Sequence, residues 1–218
     1  MGYGSPTDHF GLADSVWVVQ SSSDPSKFNV DASVQDSNGD VACRTKADTE
    51  TEYSVAYKLI GGGTVSIDGK VKIGQRKESA LINGISGNTT NRDFPVITVK
   101  GIDNSAASTA IYSSGISIDA RKKAQAPWLT SITGKVSASN FDISADIVAV
   151  QNASGVTVVR ELSGARVTAG ATLQACSGAC AASAASGYAI ETPKSANMVN
   201  NDYGTETISV YKDLARDT

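Results

Sequence analysis

Eight consecutive residues, Tyr53-Ser54-Val55-Ala56-Tyr57-Lys58-Leu59-Ile60, place a large apolar side chain at every second position. Period-2 alternation is what a strand with one buried and one wet face requires. The pattern recurs at Phe28–Val34, Ser79–Asn83 and Asp93–Lys100. In the second half it returns at Phe141–Val148, Tyr188–Thr192 and Thr207–Tyr211, with Asp202-Tyr203-Gly204 between the last two. The same order of strand types in both halves fits an internal duplication, and fits equally the monotony of an all-β chain. The expected fold class is therefore all-β: a β-sandwich or barrel with long hairpins and at most one or two short helices. Abundant Ser, Thr, Ala, Gly, Asn and Val, with little Leu or Glu, favours strands and turns over helices.

At 218 residues the chain has length for one large β domain or two small ones. The expected division is an N-terminal arm at 1–13, a first β unit at 14–120, a linker at 121–127 and a second unit at 128–218, the two units forming separate domains or one continuous one. The arm is Gly-rich and contains Pro6. The linker gathers Arg121-Lys122-Lys123 before Pro127. Asn38-Gly39 and Asp68-Gly69 read as tight hairpin turns, the second joining Val65 and Ile67 to Val71 and Ile73. Thr45–Glu52 and Gly84–Arg92 are polar and expected to loop; Asn152–Gly155 is expected to turn a hairpin whose return strand is Val156–Val159, and Ser163-Gly164 is expected to turn again. Asp103–Ala110 is a short helix candidate capped by Asp103 or Ser105, and Gln174–Ser186 a partly helical loop.

Charge and cysteine usage narrow the function classes. The formal net charge of −3 offers no global basic field to hold nucleic acid tightly, although a surface past which DNA slides should avoid binding it. Cys43, Cys176 and Cys180 are odd in number, lack metal-site spacing and are expected to be reduced, packed thiols. No run of about 18 apolar residues exists, so no transmembrane helix and no membrane partner is expected. Met1–Pro6 lacks the charged and apolar regions of a secretory leader, and folding in a cytoplasm is expected.

Catalytic chemistry is scarce. His9 is the single histidine and falls in the arm, so any Ser-His-Asp, Cys-His or His-rich metal device would have to use it. Gly61-Gly62-Gly63 lacks the Lys-Ser/Thr and following helix of a phosphate cradle and reads as a turn. Asp36-Ser37-Asn38-Gly39-Asp40 resembles part of a calcium loop, but Ala47 stands where the twelfth-position carboxylate belongs. Asp142 and Asp146 raise a paired-carboxylate glycosidase reading, opposed by an aromatic content of only 6% and by the ordinary reading of a solvated strand face. Arg121-Lys122-Lys123, with Arg76-Lys77, suits a solvated linker, nucleic acid or a partner's acidic rim. The expectation is a non-enzyme, with no catalytic, cofactor-binding or metal residues and no cofactor.

The closing elements carry a resemblance: the strand Phe141–Val148, the segment Val167–Gln174, Gly187-Tyr188-Ala189-Ile190-Glu191-Thr192-Pro193, and Asn200-Asn201-Asp202-Tyr203 before a terminal strand. Their cadence is similar to that of tail-tube-like virion proteins of tailed bacteriophages. Thr49–Val55 and Asn91–Pro95 are similar to the first halves of such proteins. The resemblance implies a β-sandwich or barrel that assembles into rings, usually sixfold, which stack into a hollow conduit for DNA. It implies edge-to-edge strand pairing between copies, contacts with other virion proteins, a lumen past which DNA moves without specific binding, and a place in the virion after synthesis in the bacterial cytoplasm. Candidate assembly segments are Tyr3–Phe10, Gly84–Arg92 and Gln174–Ser186. The duplicated pattern departs from a single-domain tube subunit and fits baseplate-hub proteins. A head-decoration or neck protein is the nearest alternative. A carbohydrate-binding β-sandwich is the alternative from another class, with Trp17 and Trp128 the only indoles for an aromatic platform.

Overall fold

The computed structural model describes residues 5–35, 37–38, 41–78, 80–103, 110–151, 157–174, 181–191, 195–197 and 204–217. Among these the protein is all-β, as expected. The strands are β1 (Trp17–Ser23), β2 (Ser26–Gln35), β3 (Val41–Leu59), β4 (Thr64–Ser66), β5 (Arg76–Lys77), β6 (Ala80–Thr90), β7 (Val96–Asp103) and β8 (Ser117–Asp119). They continue as β9 (Leu129–Thr133), β10 (Lys135–Gln151), β11 (Thr157–Gln174), β12 (Ala181–Ala184), β13 (Ala189–Ile190), β14 (Ser195–Asn197) and β15 (Thr205–Asp213). One antiparallel sheet runs β1-β3-β7-β6-β10-β11-β15-β13, with β2 on β3, β5 on β6 and β14 on β15. Its centre is the pairing of β6 with β10, so the two expected β units share one sheet and one apolar core.

Alternation explains the core. Along one register row, Tyr57, Ile97, Gly87, Phe141, Ala169 and Val210 all turn inward. Small residues, Gly87 and Ala169, flank Phe141 in this row, which lets Phe141 occupy the space above Gly87. Trp17 meets Tyr57 edge-on at 5.5 Å and Trp128 meets Phe141 at 6.0 Å. The second layer comes from residues 5–13, from the segments around Ile67–Ile73 and Ala110–Leu129, and from the small pairs β4-β8 and β9-β12.

Several local expectations are corrected. The expected arm is not free at its C-terminal part: Phe10 and Leu12 are buried, and Asp8 accepts hydrogen bonds from the Tyr57 hydroxyl at 2.5 Å and the Ala13 amide at 2.7 Å. Thr45–Glu52 is strand, because β2 supplies a partner along its length. Gly84–Arg92 is not a surface loop, since residues 84–90 belong to central strand β6. The Asp68-Gly69 hairpin is absent; β4 pairs instead with β8, while Ile67 and Val71 both sink into the core. Ser163-Gly164 lies inside β11, where Gly164 at φ +61° forms a bulge rather than a turn. Residues 181–184 of the expected helical loop are strand β12. The helix candidate at 104–109 and residues 175–180 lie outside the described residues.

A candidate assembly surface

Among the described residues, no second layer covers the sheet's other face, which is polar. Three register rows cross it: Ser54, Lys100, Gly84, Ser144, Arg166, Asp213; then Ala56, Thr98, Ser86, Asp142, Thr168, Tyr211; then Lys58, Val96, Asn88, Asn140, Gly170, Ser209. Small Ser, Thr, Asn, Gly and Ala side chains dominate, because no second layer among the described residues asks these positions for apolar bulk. Lys58, Lys100 and Arg166 face Asp142 and Asp213 on this surface, so its charge is nearly balanced. Arg166 bonds Asp213 at 2.7 Å and lies 4.9 Å from the Tyr211 ring centre.

Two hairpins leave this sheet from one end. Antiparallel alternation sends β3, β6 and β11 one way and β7, β10 and β15 the other. The pairing of β3 with β7 begins at Glu52, so Val41–Thr51 runs beyond the sheet with β2 alone, about 35 Å of extended chain. β10 leaves β6 after Ser144 and β11 reaches β15 only at Arg166, so residues 145–151 and 157–165 form a second projection at that end. A groove of about 460 Å³ marks its root, lined in part by Asp146, Gly164 and Arg166. Ile147, Val148 and Val150 are exposed on this second arm, the valines at 53% each. The remaining large exposed apolar residues among those described are Val18 on the edge strand β1 and Ile190 on β13 at the opposite edge. The hairpin expected to turn at Asn152–Gly155, whose turn lies outside the described residues, is this arm; its projection beyond the sheet was not expected, although the apolar run Ile147-Val148-Ala149-Val150 breaks the alternation there and signals it.

The opposite end of the sheet is basic. Arg121 sits against Gly62 just past β3, Ala124 donates its amide to Asn91 Oδ1 at 2.9 Å just past β6, and the Lys122 ammonium lies 4.9 Å from the Phe94 ring centre before β7. The expected linker therefore lies across the strand ends, with Ala124 and Ala126 buried and Arg121, Lys122 and Lys123 exposed. Lys58 pairs with Asp93 at 2.9 Å, and the Arg121 Nε bonds Asp119 Oδ1 at 2.8 Å. These hydrogen bonds hold the carboxyls of Asp93 and Asp119 below their ordinary range.

The sequence-derived site candidates do not converge. His9 packs its ring on Tyr53 at 5.1 Å. Asp142 stands opposite Thr168, and Asp146 lies past the bulge opposite Ser163. Trp17 and Trp128 are 0% and 1% exposed, so neither contributes to a surface platform. Gly61–Gly63 forms an exposed turn, and Arg76-Lys77 is the short strand β5. Among the described residues no group of three or more His, Cys, Asp or Glu could hold a metal, and no helix is long and apolar enough to cross a membrane. Asp36, Gly39, Asp40, Cys176 and Cys180 fall outside the described residues, as does the side chain of Cys43. No known protein-family model matches the chain, and no curated protein matches it significantly.

Proposed function

We propose that this chain is a structural, non-catalytic subunit that self-assembles through its sheet edges, and that it serves as a tail-tube-like virion protein of a tailed bacteriophage, in rings that stack into a conduit for DNA. The observation that carries the reading is the eight-strand path itself. An even number of alternating strands leaves β1 and β13 running in opposite directions, so β13 of one copy and β1 of the next extend the antiparallel ladder head to tail. Such a heterologous contact closes into a ring wherever its rotation permits. Pairing also satisfies the backbone groups on edges that otherwise invite aggregation, and it covers Val18 and Ile190. The polar, nearly neutral face suits a lumen past which DNA moves without being held. No exposed indole favours the carbohydrate-binding alternative.

The test is an edge block. Val18→Lys places a charge on β1, the device by which natural edge strands avoid pairing. Sedimentation velocity should find the wild type in closed oligomers and the variant as a folded monomer. Equal assembly of both would sink the edge-pairing reading.

A further inference from the structure

Positive charge gathers at the sheet end where β3, β7, β6 and β10 lie side by side. Lys58, Arg92, Arg121, Lys122, Lys123 and Lys135 stand there with Asp93 and Asp119, six cations to two carboxylates, a formal +4 within a chain of net −3. Both carboxylates are already paired, Asp93 with Lys58 and Asp119 with Arg121. Arg92, Lys122, Lys123 and Lys135 are exposed, and none has an ion-pair partner among the described residues. The segment that carries Lys122 and Lys123 is fixed to the strand ends. Asn91 accepts from the Ala124 amide at 2.9 Å and donates to the Val136 carbonyl at 3.0 Å. The Gln125 amide donates to Thr89 Oγ1 at 3.0 Å, its side-chain Nε2 donates to the Asp119 carbonyl at 2.6 Å, and Ala124 and Ala126 are buried. These cations are therefore presented on a held backbone, which lowers the ordering cost of binding through them.

We propose that this rim is a binding site for the phosphate backbone of duplex nucleic acid. The inference rests on the conduit reading above for its ligand and adds the place where the duplex is held. From β3 to β10 is three strand spacings, about 14 Å. A duplex carries one charge per about 1.7 Å of axis, so that span presents roughly eight phosphates to the four unpaired cations. Phe94 is the aromatic side chain among them, and the Lys122 ammonium stands 4.9 Å from its ring centre, closing that ring face to an unstacked base. The contact is thus to backbone charge and independent of sequence. On the adjoining face Lys100 and Arg166 are balanced by Asp142 and Asp213, so the duplex is held at the rim and not along the face.

The test is fluorescence anisotropy of a short labelled duplex with the full-length protein, with circular dichroism to verify folding and sedimentation velocity on the same samples. Three or four neutralised phosphates make the wild-type affinity fall about 40- to 150-fold between about 50 and 200 mM salt. Lys122→Gln/Lys123→Gln should bind at least tenfold more weakly at the lower salt, with the salt exponent reduced by about two. Arg166→Gln, on the polar face, should bind as the wild type does. No salt-sensitive binding by folded wild type, or equal binding by the lysine variant, overturns the inference and leaves edge assembly standing. Equal loss in Arg166→Gln moves the contact to the face, and loss of oligomers in a lysine variant whose parent binds no duplex gives the rim to a second copy; either overturns it. A strict monomer that binds duplex through Lys122 and Lys123 upholds the site and sinks the ring reading instead.

Discussion

Gly87 is the position where the sheet's construction can be challenged most sharply. It lies in β6 between Ile97 of β7 and Phe141 of β10, on the buried face. A methyl group added there would sit 2.6 Å from Phe141 Cζ and 2.7 Å from Ile97 Cδ1. Both distances are far inside ordinary carbon contact of about 3.5–4.0 Å. Neither neighbour has room to retreat, because Phe141 is packed edge-on against buried Trp128 and Ile97 is itself fully buried. Gly87→Ala should therefore cost about 1–3 kcal/mol through overpacking. For a chain of this size that lowers the melting temperature by roughly 2–12 °C. Urea denaturation should show a lower midpoint with an unchanged slope. Phe141→Leu removes the ring edge, so the double variant should be more stable than the two single changes added together, by about 0.5 kcal/mol or more. A Gly87→Ala protein within about 0.5 kcal/mol of wild type, or a strictly additive pair, would refute the reasoning.

Acid should weaken the fold in a defined window. Hydrogen bonds from the Lys70 ammonium and from the Trp17 and Val16 amides hold the Asp14 carboxyl at about 2. For Asp8, burial pushes the pKa up, but hydrogen bonds from Tyr57 and from the Ala13, Leu12 and Phe10 amides outweigh it and leave the group below its ordinary value. A carboxyl depressed in the folded state contributes stability above its unfolded pKa and loses it as pH falls through the folded one, here from 3.8 towards about 2 for Asp14. Urea midpoints measured at intervals from pH 5 to pH 2 should fall more steeply for wild type than for Asp14→Asn; parallel curves would contradict this. Both indoles should emit at short wavelength and resist acrylamide quenching, since Trp17 and Trp128 are buried; a readily quenched indole, or a positive glycan array, would count against the packing or the proposed function respectively. Val148→Asp/Val150→Asp should leave unfolding stability within about 0.5 kcal/mol, because both side chains are exposed, while weakening self-association. Unchanged association would show that these valines take no part in assembly.

The alternating stretches at Tyr53–Leu59, Val96–Lys100 and Thr207–Tyr211 were legible because each buries one face against a continuous core. What misled was composition without partners. Gly84–Thr90 reads as a loop from its Gly, Ser, Asn and Thr content, yet such small residues are what a central strand needs when Phe141 lies over one face and the other stays wet. Phe10 and Leu12 show no periodicity because they enter the core from an irregular segment rather than from a strand. Pairing distant in sequence, such as β4 with β8, leaves no local trace, whereas the nearby Asp68-Gly69 reads locally as a hairpin turn. Arg121-Lys122-Lys123 stood out in the sequence, while its place across the strand ends needed the fold.

The central claim is self-assembly, and negative-stain electron microscopy of the purified full-length protein, with mass photometry on the same sample, tests it most directly. Closed rings with a central opening, isolated or stacked, are the predicted result. A single species at the 22.4 kDa of one chain, at every concentration and ionic strength, would contradict it.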